Sequence, residues 1–269
     1  MKGSLYGANA KLSRAKAQAE NLKMSIEALY PRNRRWPVTT VVAKGGLEYR
    51  FSVDVSSLPP VDPNWTLAVG EIMFNLRSAL DHLQYQLWFH HYRGHVPPQI
   101  EFFSMFPILT NPKKFKDRQR QITKECNKLK KTTLSQRDWT ALEFLQPYVT
   151  RKDELRWDRY WLERLNTLHN FDKHRRLHVV SAAQNAAAVP DGLDVYGLET
   201  FPSWGSLDSS GLVEVWRFNT LPPKVPPHSG ALLHVTLDHQ PAWAEINIFL
   251  PALIKTVETV LTRFANRFT

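Results

Sequence analysis

The chain has 269 residues and 43% are apolar, a proportion typical of a folded globular protein and too high for a disordered one. The longest apolar stretch, from Phe249 to Ile254, is far too short to cross a membrane, and the N-terminal residues lack the apolar core of a secretory signal. A single cysteine, Cys126, excludes an internal disulfide framework and a multi-cysteine zinc site. We therefore expect a cytoplasmic protein with no membrane partner.

The net charge of +10 is concentrated in two parts of the chain. Residues 113–131 hold nine basic and two acidic residues, and residues 1–36 hold eight basic and two acidic residues. Such basic segments attract phosphates and strengthen nucleic-acid binding through counterion release. The alternative is a solvated helix face that only keeps the protein in solution.

Hydrophobic spacing, prolines and turn residues divide the chain into elements. In chain order they predict a helix over 4–29, a hairpin of strands 38–43 and 47–55, a helix over 65–92, an extended segment 99–110, helices over 112–130, 135–146 and 152–169, strands over 176–183, 194–201, 211–219 and 231–238, a further strand over 244–250, and a helix over 251–268.

This order predicts an α+β fold with a bundle-like helical core, an early β-hairpin and a C-terminal antiparallel sheet closed by a helix. We expect one domain over 1–269, helical to about residue 175, β-rich over about 176–250 and closed by the helix 251–268.

Two of the predicted helices carry a polar stripe beside their apolar one. Glu71, Asn75, Ser78 and His82 share one face of the helix 65–92, and Arg159, Glu163, Asn166 and Asn170 share one face of the helix 152–169. The second stripe leads directly into the charged turn that contains Asp172, Lys173, His174 and Arg175.

If the two stripes face each other, they form a site that suits a phosphodiester. The predicted catalytic residues are Arg77, His82, Asp172 and His174, with histidine as general acid or base and Arg77 as the phosphate ligand. Side chains expected to bind RNA are Asn75, Asn166, Asn170, Lys173, Arg175, Lys113, Lys114, Lys116, Arg118 and Arg120. The alternative is a buried polar network that joins two helices and has no catalytic role.

The segment NLRSALDHL, residues 75–83, places four residues between Arg77 and His82. This spacing resembles the R-x4–6-H motif of HEPN domains, helical modules often found as metal-independent ribonucleases in bacterial toxin and defence systems. The resemblance implies that Arg77 and His82 are catalytic, that the protein is an endoribonuclease, and that it forms a homodimer with paired motif helices.

A longer resemblance covers residues 70–175. The segments GEIMFNLRSALDHL, FPI, LQPY and LNTLHNFDKHR follow one another as in a group of uncharacterised bacterial proteins. It implies that the four segments form one structural unit, and it implies no activity. Because no H-E-x-x-H or E-x-x-H motif occurs, we expect neither a metal nor another cofactor. The sequence thus favours an RNA-cleaving or RNA-binding protein, with a non-catalytic interaction module as the alternative.

Overall fold

The computed structural model describes most of the chain, in a series of separate ranges. They are residues 3–31, 34, 36–43, 48–54, 59–60, 62–149, 156–173, 180–184, 198–200, 212–218, 230–231, 233–237 and 246–268. The helices are α1 (Tyr6–Leu29), α2 (Pro63–His91), α3 (Pro98–Glu101), α4 (Pro112–Lys128), α5 (Gln136–Phe144), α6 (Arg156–Lys173) and α7 (Ile246–Ala265). The strands are β1 (Trp36–Ala43), β2 (Glu48–Asp54), β3 (Val180–Gln184), β4 (Leu198–Thr200), β5 (Leu212–Phe218), β6 (Gly230–Ala231) and β7 (Leu233–Leu237).

The predicted α+β fold with a C-terminal antiparallel sheet is wrong. The strands given above are described by their backbone alone. Among the residues whose side chains the structure also describes, about 75% are helical and none lies in a strand. The strand order also differs from the predicted sheet, which contained only C-terminal segments. Their order is β4-β5-β2-β1-β6, with β3 and β7 paired separately, so the early strands lie at the centre. A two-stranded hairpin is marginal by itself, and here β5 and β6 flank it.

The chain divides into two compact units. Unit 1 comprises Met1–Glu20, Leu67–Leu177 and Leu250–Thr269, and unit 2 comprises Asn21–Thr66 and His178–Phe249. Within unit 2 the strand pairs that the structure describes are antiparallel, and β2 pairs with β5 through a register shift at Phe51/Ser52. The prediction of a single domain over 1–269 stays a prediction.

Apolar stripes of unit 1 build its core as their spacing predicts. The buried residues of α2 and α7 that recur every three or four positions are Val69, Ile72, Leu76, Leu80, Leu83, Leu87, Leu253, Val257, Val260, Leu261 and Phe264. Burying each such side chain stabilises the fold by about 1.5–3 kcal/mol. The expected strand over 244–250 is wrong, because residues from Ile246 onward form the first turns of α7.

Helix α5, predicted over 135–146, begins at a side-chain cap. The hydroxyl of Ser135 accepts a hydrogen bond from the backbone N–H of Asp138 at 3.2 Å. The same N–H also donates to the Ser135 carbonyl at 3.0 Å, so the hydroxyl is a second acceptor for one of the four N–H groups at the start of the helix.

We expect Ser135→Ala to lower the free energy of unfolding by about 1 kcal/mol, because the Asp138 N–H then keeps only the Ser135 carbonyl as acceptor and the Asp138 carboxylate loses the hydroxyl donor. Ser135→Thr retains the hydroxyl and should restore most of the loss. Urea denaturation followed by circular dichroism measures both values. Equal losses in the two variants would show that the cap contributes nothing.

Candidate functional site

The connection between α3 and α4 is held by side chains rather than by regular secondary structure. We name residues 102–109 the clamped segment. Arg77 Nη2 donates to the backbone carbonyl of Phe106 at 2.6 Å, and Asp81 Oδ1 accepts from the backbone N–H of Phe106 at 2.8 Å. Arg77 and Asp81 lie one turn apart on α2 and also pair with each other, with Nη2 and Oδ1 3.1 Å apart. One turn of α2 thus binds both polar backbone groups of one residue.

Two more side chains bind the clamped segment from α4 and from the end of α5. Arg118 Nη2 donates to the carbonyls of Phe103 and Met105, at 3.1 and 2.7 Å. Gln146 is fully buried; it donates to the carbonyl of Pro107 at 3.0 Å and accepts from the N–H of Leu109 at 2.9 Å. Because buried backbone groups without partners are costly, these bonds explain how an irregular segment can be buried.

The hydrogen bonds to the clamped segment, which we call the clamp, limit the other contacts that Arg77 and Arg118 can make. Arg77 is only 5% exposed, and its Nη2 is bound to the Phe106 carbonyl and to Asp81. Burial and the neighbouring charge of Arg77 lower the pKa of Arg118, although Asp81 acts in the opposite direction. Both arginines therefore hold backbone within the protein. This arrangement supports the alternative of a buried polar network. Arg118, an expected RNA ligand, is half-buried and bound to backbone carbonyls, and its assignment stays a prediction.

The polar stripe of α2 faces α1. Gln18 donates to Glu71 at 2.6 Å and accepts from Asn75 at 2.9 Å. At the other end of the stripe, a Cβ atom at Gly7 would lie 3.1 Å from His82 Nδ1, so the imidazole packs directly on the α1 backbone. Asn75, an expected RNA ligand, is therefore buried in a contact between two helices.

Asp172 lies next to a different part of α2. A Cβ atom at Gly70 would lie 3.0 Å from Asp172 Oδ1. Gly70 and His82 are twelve residues apart on α2, which corresponds to about 18 Å along the helix and about 120° around it. In the described geometry, His82 lies against Gly7 of α1 and Asp172 lies against Gly70 of α2, so the two side chains are not neighbours.

The remaining residues of the predicted site are distributed as follows. On α6, Asn166 is half-buried and Asn170 is exposed. Arg159, which begins the α6 stripe, is buried and donates to the carbonyl of Phe144 at 2.7 Å. The side chain of Lys173 and the whole of His174 and Arg175 lie outside the described residues, so their assignment stays a prediction.

An open groove of about 460 Å³ lies beside His82, and we name it the His82 groove. From α2 it is lined by Asp81, His82 and Tyr85, and on the other side by Glu101 at the end of α3 and by Ser104 and Met105 of the clamped segment. Its volume falls within the range of about 300–1,000 Å³ that small-molecule sites occupy. The sequence pointed to His82 but not to Tyr85, Glu101 or Met105. Helix spacing could have added Tyr85, one turn after His82, whereas no periodicity links α2 to Glu101 and Met105.

The outer face of α4 carries a row of exposed cations, which we name the basic stripe. Its members are Lys113, Lys116, Arg120, Lys124 and Lys128. Spacings of three and four residues keep them on one face, opposite the buried Phe115, Ile122 and Cys126. Asp117 and Glu125 pair with Arg120 and Lys128, at 3.1 and 2.7 Å. Lys114 is also exposed, at the side of the stripe.

A shallow cavity of about 530 Å³ follows the C-terminal half of the basic stripe. Arg120, Lys124 and Lys128 line it together with uncharged polar side chains of α4. Lys124 and Lys128 were not among the expected RNA ligands, although they belong to the same basic segment. Helix periodicity alone could have added them.

No protein-family model, curated protein or solved structure matches this chain. Within the described ranges, no three His, Cys, Asp or Glu side chains lie close enough together to hold a metal ion. Over those same residues, no helix has the length and apolar character needed to cross a membrane.

We expect Arg77→Ala to lower the free energy of unfolding by about 2–3 kcal/mol, because it leaves the buried Phe106 carbonyl without its charged donor. Arg137→Ala is the matched control, since Arg137 is exposed on α5 and should change stability by less than about 0.5 kcal/mol. Urea denaturation followed by circular dichroism gives both values. An unchanged stability of Arg77→Ala would contradict the structural role.

Proposed function

We propose that this protein binds single-stranded RNA through the basic stripe of α4 and does not cleave it. The exposed row of five cations carries this proposal. From Lys113 to Lys128 the stripe extends about 22 Å along the helix, enough to contact several consecutive phosphates of one strand. Cations held on one face of a rigid helix provide such contacts without rearrangement of the protein.

An exposed aromatic side chain beside α4 favours a single strand over a duplex. Phe102 is 79% exposed and lies at the start of the clamped segment, which Arg118 of α4 binds. Proteins that bind single strands combine a basic surface with aromatic rings on which unpaired bases stack. The bases of a duplex are already stacked on one another and cannot stack on such a ring.

The clamp supports a binding function rather than a catalytic one. A ribonuclease of the HEPN type requires Arg77 at the scissile phosphate, and Arg77 is buried and bonded to Phe106 and Asp81. The Asp81 and Glu101 carboxylates beside His82 also disfavour a phosphate in the groove. Endoribonuclease activity stays the competing hypothesis, and the expected homodimer stays a prediction.

We expect the double variant Lys116→Gln/Lys124→Gln to bind a labelled 12-nucleotide RNA roughly tenfold more weakly at about 0.1 M salt, because two phosphate contacts are lost. The slope of log affinity against log salt should fall in magnitude by about 1.4. Fluorescence anisotropy measures both quantities. The matched control is Arg137→Gln/Lys255→Gln, which removes two exposed charges from α5 and α7. Equal losses in the two variants would show that only net charge matters.

Cleavage of a labelled RNA pool in the presence of EDTA distinguishes the competing hypothesis. We expect no cleavage by the wild-type protein and none by His82→Ala, because the described geometry gives His82 no arginine partner for a phosphate. Wild-type cleavage that disappears in a His82→Ala protein of unchanged melting temperature would establish a metal-independent ribonuclease and refute a purely binding function.

A further inference from the structure

We propose that the His82 groove binds one unstacked guanine base of the RNA, an inference that rests on the proposed function. The groove is separate from the basic stripe and has a different chemistry. Its walls carry two aromatic rings, a thioether and two carboxylates. The two carboxylates disfavour a phosphate, whereas each of these groups can contact a base.

The two walls of the groove suit a flat ring. Tyr85 and His82 lie one turn apart on α2, and Met105, which is 53% exposed, lies on the other wall. A base can stack on the tyrosine ring and contact the polarisable methionine sulfur. His82 is held in place because its imidazole packs against the backbone of Gly7.

The carboxylates of the groove select for a base with hydrogen-bond donors. An ionised carboxylate only accepts hydrogen bonds. Asp81 uses Oδ1 for Arg77 and Phe106, and in the described part of the chain Oδ2 has no hydrogen-bond partner. Glu101 is exposed on the opposite wall. Guanine presents adjacent N1–H and N2–H₂ donors on its Watson–Crick edge, whereas uracil presents one N–H between two carbonyl oxygens that a carboxylate repels.

The clamped segment connects this groove to the basic stripe. Ser104 and Met105 line the groove, and the carbonyl of Met105 accepts from Arg118 of α4 at 2.7 Å. The clamped segment thus joins α4 to a wall of the groove, and the proposal requires an RNA strand bound on α4 to extend one base across this segment. The stripe supplies affinity without regard to sequence, and the groove supplies the base preference.

Anisotropy titrations with two labelled 12-nucleotide RNAs test this assignment. One is oligouridine, and the other has a single central guanosine. We expect the wild type to bind the guanosine-containing RNA at least tenfold more tightly, and Glu101→Gln to reduce that ratio to threefold or less without weakening binding of oligouridine. Glu163→Gln, which removes a carboxylate from α6, is the control and should keep the full ratio.

A second titration tests the groove without the stripe. We expect guanosine monophosphate to shift the NMR signals of the His82 imidazole, and uridine monophosphate to leave them unchanged. Equal binding of both RNAs, with no shift by either nucleotide, would overturn the guanine site and leave the RNA-binding function intact. Failure of both RNAs to bind at low salt would refute the RNA-binding function, and the guanine site with it, whatever the free nucleotides do.

Discussion

The hydrogen bonds that Arg77 and Asp81 make to Phe106 determine the path of the chain between α3 and α4. Both polar backbone groups of Phe106 are paired with charged side chains of one helix turn, in a largely buried position. Arg118 and Gln146 continue the same pattern along the clamped segment. These hydrogen bonds thus fix the positions of α2, α4 and α5 relative to one another more specifically than apolar packing alone can.

This clamp also orients the two surfaces to which we assign binding roles. Because Arg118 and the buried Phe115 fix one side of α4, the cations on its opposite side point outward together. The same segment forms a wall of the His82 groove through Ser104 and Met105. A basic surface and a groove of acidic and aromatic character therefore lie on either side of this connection.

Several elements could be predicted from the sequence because their information is local. The spacing of Leu76, Leu80 and Leu83 is sufficient to define the buried face of α2, and Ser135 marks the start of α5. The partner of a polar face cannot be predicted in this way. Periodicity shows that Asn75 and His82 share a face, whereas their contact with α1 depends on the tertiary fold.

The clamp also affects susceptibility to proteases. Phe102 and Met105 are exposed hydrophobic residues in an irregular connection, which is where proteases usually cut a folded protein. A protease requires several residues of free, extended backbone, however, and the carbonyls of Phe103, Met105 and Phe106 are bound to arginines. Cleavage there requires local opening of the clamp. The rate of nicking after Phe102 therefore reports how often the clamp opens while the rest of the protein stays folded.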